Sequence, residues 1–165
     1  MSKPWKRRRR LFAVVGLLFV LSVTGAGGTG AAAQSTHSSI VISTRKVGKL
    51  GTILVDSKGL TLYMFVPDKR KRVTCVSTCA AIWPPVKLPA HATIVAKGEA
   101  KQKLLGSDRD PAGGRVVTYH GWPLYTYIGD RKPGQATGQA LNLNGGLWYV
   151  LAPSGAVVHT RIVVG

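Results

Sequence analysis

The chain has 165 residues, with 23 Lys plus Arg against six Asp plus Glu and a formal net charge of +17. Six acids give little support to paired-carboxylate hydrolysis. No Gly-x-Ser-x-Gly, His-x-x-x-His or Cys-x-x-Cys-His sequence occurs, which excludes a nucleophile-elbow hydrolase, a spaced-histidine metal site and a c-type haem attachment.

The start reads as a secretory leader. Lys3, Lys6 and Arg7 to Arg10 precede an apolar run from Leu11 to Val23, and small residues end at Ala31-Ala32-Ala33. The apolar run is shorter than the roughly 20 residues that span a bilayer. Cleavage is expected after Ala33, leaving 34–165 with no membrane span. Six of the 23 bases and no acid precede Gln34, so +11 of the +17 remains. Gln34 to Ser39 reads as a flexible lead-in and Ile40 to Ile42 as a first strand. Thr52 to Asp56 and Leu60 to Val66 read as a hairpin closed by Ser57-Lys58-Gly59. Lys69 to Thr74 is a basic excursion. Cys75 to Ile82 suits a short helix, ended by Trp83-Pro84-Pro85 because a proline disfavours helix in the residue before it. Val86 to Pro89 and Ala92 to Ala96 are short strands, and the halves join around Gly98 to Gly106. Val116 to Tyr119 and Trp122 to Ile128 form a second hairpin around His120-Gly121. Arg131 to Gln139 is a long loop. Asn142 to Gly146 is a turn, Leu147 to Leu151 a strand, and Ala156 to Val164 a closing strand.

A repeat organises these elements. Gly59-Leu60-Thr61-Leu62-Tyr63-Met64-Phe65-Val66-Pro67-Asp68 recurs 62 residues later as Gly121-Trp122-Pro123-Leu124-Tyr125-Thr126-Tyr127-Ile128-Gly129-Asp130. Each copy is followed by a tryptophan, Trp83 or Trp148. The expected fold is all-β: two homologous hairpin-based repeats, at about 48–97 and 104–155, packed as one domain with a short helical segment near the cysteines. Along the first motif strand Tyr63 and Phe65 share one face, and Leu62, Met64 and Val66 the other. Both faces are apolar, so the strand should be covered on both sides. A buried tyrosine hydroxyl needs a partner, and a carboxylate past the strand end is a natural one. Asp68 and Asp130 otherwise read as side-chain turn caps, or as contacts to a ligand. Cys75 and Cys79 are the only cysteines. In an exported chain such a pair reads as a disulfide.

These residues resemble a family of exported bacterial repeat proteins of unknown function, many of them lipoproteins, marked by a Tyr-x-aromatic-x-x-Asp motif. Tyr63, Phe65 and Asp68, then Tyr125, Tyr127 and Asp130, satisfy it. Cys75, Cys79 and Trp83-Pro84-Pro85 match its Cys-x-x-x-Cys and Trp-Pro-Pro elements. Lipoprotein members carry a cysteine at the cleavage site. Ala33-Gln34 stands here instead, which favours release or wall association over a lipid anchor. The resemblance implies no reaction.

The expectation is an extracytoplasmic, non-catalytic binding or structural module of the cell envelope, without cofactor. Its basic surface suits an anionic wall polymer or lipid headgroups rather than a specific nucleic acid. The rival reading is a redox or copper-handling protein. Cys75 and Cys79 would be its thiolates, with Met64 or a histidine as third ligand. His37, His91, His120 and His159 are scattered and show no ligand spacing.

Overall fold

A computed structural model describes residues 38–69 and 72–160. The expected leader over 1–33 lies outside the described residues, as do Arg70 and Lys71 of the basic run and 161–165 of the expected closing strand. The elements in chain order are β1 (Ser39–Val47), β2 (Gly51–Val55), β3 (Tyr63–Phe65), α1 (Thr78–Ile82), β4 (Lys87–Leu88), β5 (Thr93–Ala96), β6 (Leu105–Arg109), β7 (Arg115–Tyr119), β8 (Trp122–Pro123), β9 (Asn142–Leu143) and β10 (Gly146–Val150). They form three small sheets, ordered β2-β1-β5, β3-β10-β9 and β4-β7-β6, with β8 against β7. The fold is mostly strand with little helix, and α1 starts within the disulfide loop.

The first hairpin differs from the expected one. The basic stretch Arg45 to Val47 continues β1, which turns through a 3-10 segment, Gly48–Leu50, into antiparallel β2. Ser43 stands opposite Val55 and Val47 opposite Gly51. The turn Ser57-Lys58-Gly59 does form: the Asp56 carboxylate accepts from the amides of Lys58 at 2.8 Å and Leu60 at 2.9 Å. Its returning arm makes only a brief ladder with β2, a Val55–Thr61 bridge and a bond from Leu62 N–H to the Leu54 carbonyl. The chain then leaves as β3. A three-residue strand that is apolar on both faces and buried throughout needs neighbours that its own hairpin cannot supply. The second hairpin is tight, as expected. His120 at φ 50° and Gly121 at φ 81° take the two left-handed positions of a two-residue turn. The closing strand reduces, among the described residues, to a Leu151–Val157 bridge and a bond from Val158 N–H to the Val150 carbonyl.

The neighbours of β3 come from the other repeat. It pairs with β10, Phe65 opposite Trp148 and Tyr63 opposite Val150. On its other edge Tyr63 and Tyr125 exchange both backbone bonds, at 2.8 and 2.9 Å. The second motif strand repeats the arrangement in reverse. Thr126 N–H donates to the Pro84 carbonyl and Ile128 N–H to the Ile82 carbonyl, so it runs beside the Trp83 arm of the first repeat. Each motif strand therefore lies against the tryptophan arm of the opposite repeat.

This exchange builds two cores on the two faces of β3. Tyr63 and Phe65 enter a cluster with Cys75, Cys79, Trp83, Tyr125 and Trp148. Leu62 and Met64 enter a second with Ile42, Leu54, Val117, Tyr119, Leu124 and Leu151. Val66, expected on the Met64 face, is 43% exposed because a 3-10 turn, Val66–Asp68, begins there and ends the strand. In the first core a stack of rings runs Tyr127, Trp83, Trp148, Phe65, with centroids 4.2, 3.9 and 4.1 Å apart. The tryptophans from the two repeats meet nearly parallel, at 3°. Tyr63 meets Trp83 edge-on, and Tyr125 meets Trp148 in the same way.

Gly138 closes this core. A Cβ there would stand 2.7 Å from the Trp83 ring and 2.9 Å from Tyr63 Cζ, and neither ring has room to withdraw. Gly138→Ala is expected to lower stability by about 2 kcal/mol through overpacking, measured by urea denaturation. An unchanged midpoint would contradict the close approach.

Candidate functional site

The motif residues come together at the junction of the repeats, in crossed pairs. Tyr63 donates its hydroxyl to Asp130 Oδ2 at 2.6 Å, and Tyr125 donates to Asp68 Oδ2 at 2.6 Å. The remaining oxygen of each carboxylate is held from the loop that follows it. Asp68 Oδ1 accepts from the Thr74 amide at 2.8 Å and the Thr74 hydroxyl at 2.7 Å. Asp130 Oδ1 accepts from the Thr137 amide at 2.9 Å and the Thr137 hydroxyl at 2.6 Å. Gly138 N–H donates to the Tyr63 hydroxyl at 3.2 Å. The aspartates thus do more than cap their own turns. Each anchors its following loop and the tyrosine of the other repeat.

The environment is dry. Tyr63, Tyr125 and Asp68 are wholly buried, and Asp130 is 5% exposed. Burial pushes the Asp68 carboxyl above the usual range, against the opposing pull of bonds from Tyr125 and Thr74. Burial, then the charge of the facing aspartate, holds both tyrosine hydroxyls far above their ordinary range. Both tyrosines therefore stay neutral donors. A hydrogen bond to a charged group contributes about 1.5–3 kcal/mol. The remaining motif residues serve the ring stack, Phe65 against Trp148 and the half-buried Tyr127 against Trp83. Trp83 Nε1 is the one buried side-chain polar atom without a partner among the described residues.

Cys75 and Cys79 form a disulfide with Cα atoms 5.2 Å apart, packed against the Tyr63 face of β3. Met64, considered above as a ligand beside those sulfurs, lies in the other core. His91 is exposed, His120 Nδ1 lies 3.2 Å from the Gly155 carbonyl oxygen, and His159 meets Tyr149 edge-on. Among the described residues no three His, Cys, Asp or Glu side chains converge, and no helix is long and apolar enough to cross a membrane.

Sequence reasoning missed Thr74, Thr137 and Gln139. The two threonines follow their aspartates by six and seven residues, a near-equal spacing visible once the repeats are aligned. Gln139 is buried; it accepts from Val150 N–H and donates to the carbonyls of Val158 and Thr160, tying the last described residues to β10. Three surface clefts were also missed, and none is lined by a motif tyrosine or by Asp68 or Asp130.

Two stretches, 44–87 and 107–152, match the model of a family described as a secreted repeat of unknown function, and together they span more than half of the chain. The chain belongs to that family. Each matched stretch contains one Tyr and one Asp of the crossed pairs. No curated protein and no solved structure matches the chain.

Two predictions follow from the crossed bonds. Asp130→Ala strands the buried Tyr63 hydroxyl and the Thr137 amide, and is expected to cost about 3 kcal/mol rather than the ~1 kcal/mol of an exposed cap. Asp68→Ala should match it within about 1 kcal/mol, by urea midpoints. The second concerns pH. Unfolded tyrosine loses its proton near pH ~10, whereas Tyr63 and Tyr125 keep theirs when folded. Their contribution is full below that pH and is lost as pH rises, by about 1.4 kcal/mol per pH unit for each tyrosine. Tyr63→Phe should remove one such increment from the slope measured between about pH 10 and 11.5. An unaltered slope would show that Tyr63 ionises alike in both states.

Proposed function

We propose that this secreted repeat protein is a non-catalytic binding module of the cell envelope, in which the repeat motif builds the scaffold and the basic surface meets an anionic partner. The observation that carries the reading is where the acids go. All six lie within the described residues. Asp68 and Asp130 are buried in the crossed pairs. Asp110 is buried against Lys87, Asp56 accepts from amides of its own turn, and Asp108 accepts from the Arg109 amide at the end of β6. Glu99 accepts from the Thr52 hydroxyl. Among the described residues every Lys and Arg is exposed, and only Lys87 pairs with a carboxylate. Such a surface draws polyanions and is screened by salt.

Catalysis by Asp68 and Asp130 finds no support. Each carboxylate is enclosed and already accepts three hydrogen bonds. The copper or redox reading is weakened by the disulfide and by the placement of Met64 in the opposite core. The disulfide closes a small loop, and its contribution is about 2 kcal/mol in the chain-entropy model.

The test is retention on isolated cell-wall material. Binding should be strong at about 0.05 M salt and largely lost at about 0.5 M. Retention unchanged across that range would contradict a charge-driven partner.

A further inference from the structure

The cleft beside the first repeat's turn is built for an anion. It encloses about 550 Å³ and is lined by Ser43, Thr44, Arg45, Lys58 and Lys97, with Asp56 at its wall. Three elements bring these residues together. Ser43 and Arg45 share one face of β1 by the two-residue period of a strand. The parallel pairing of β1 with β5 sets Ile42 level with Ala96, so Lys97 follows level with Ser43, and its amide donates to the Ile42 carbonyl. The Asp56–Gly59 turn forms the opposite wall. Its Gly59 leaves space that the Arg45 guanidinium occupies: a Cβ there would stand 3.3 Å from the Arg45 terminal nitrogen.

The charge in the cleft is uncompensated. Arg45, Lys58 and Lys97 are exposed, and none has a carboxylate within ion-pair distance. The one acid there, Asp56, already accepts from the Lys58 and Leu60 amides. A planar guanidinium, two ammonium groups and neighbouring hydroxyls match the tetrahedral, multiply accepting oxygens of phosphate. The corresponding concavity beside the second repeat's turn has a different lining, Lys103 and His120 with Asp108. The repeats are alike in scaffold and unlike here.

We propose that this cleft binds phosphate groups of a soluble or wall-borne poly(phosphodiester) chain. The inference rests on the anion-binding reading above and gives it a location. A concave, hydroxyl-lined cleft encloses a phosphate along a chain, whereas a planar headgroup layer would be met by a raised face.

The test is an amide NMR titration of the mature chain with tripolyphosphate at low salt, read against two charge-matched variants. Shifts should centre on Ser43, Arg45, the 56–59 turn and Lys97. Arg45→Gln/Lys58→Gln/Lys97→Gln should weaken binding about tenfold. Lys49→Gln/Lys103→Gln/Arg109→Gln, altering exposed bases outside the cleft, should stay within about twofold. If the first variant misfolds, Lys58→Gln/Lys97→Gln against Lys49→Gln/Lys103→Gln keeps the comparison charge-matched, since all four side chains are exposed. Equal weakening by both variants, or shifts spread over all surface bases, would overturn this site and leave a diffuse anion-binding surface standing. Absence of any binding would overturn both. Displacement of tripolyphosphate by poly(glycerol phosphate) is expected. Displacement by phosphatidylglycerol vesicles alone would overturn the polymer assignment.

Discussion

Two hydrogen bonds run from the tyrosine of one repeat to the aspartate of the other, and the architecture depends on both. Each joins a neutral phenol to a carboxylate in a site that water does not reach, where an unpaired charge would be costly. The same aspartates hold Thr74 and Thr137, so each bond fixes a strand, a turn and the following loop together. Above them the two tryptophans stack face to face, and beside them Tyr63 and Tyr125 close the backbone ladder. Cutting one tie would loosen a core that both repeats share.

This interdependence accounts for how the chain spends its few ionisable acids. Five of the six carboxylates are placed inward or against backbone amides, Glu99 being the exception. The bases are left on the outside. A protein with that division has a rigid interior of aromatics and a solvent face of almost one sign. That division is what the proposal of an anionic partner rests on.

Much of this was legible in the residues. The 62-residue offset fixed the two units, and the alternation of Tyr63 and Phe65 with Leu62 and Met64 correctly assigned the two faces of the motif strand. What could not be read was the choice of partner. A motif present in both repeats is as compatible with its own tryptophan arm as with the other, and no local signal separates the two. The hairpin was misplaced for a related reason. Ser57-Lys58-Gly59 is a strong turn signal and does turn, whereas Gly48-Lys49-Leu50 is a weak one and yet closes the longer ladder. The first strand was read only from Ile40 to Ile42, and the charged Arg45 and Lys46 beyond it were given no strand. They point to opposite faces of β1, and both are exposed, so charge is no obstacle there. Thr74 and Thr137 escaped notice because an isolated Thr carries no pattern until its spacing from Asp68 or Asp130 is compared across repeats.

Neither repeat completes its own core. Fragment complementation tests it most directly: residues 38–100 and 101–160 produced separately, then mixed, with near-UV circular dichroism reporting the tryptophan stack. The account predicts that each fragment alone lacks that signal and that an equimolar mixture restores it. A native-like aromatic signal and a cooperative melt from either fragment by itself would contradict the crossed arrangement.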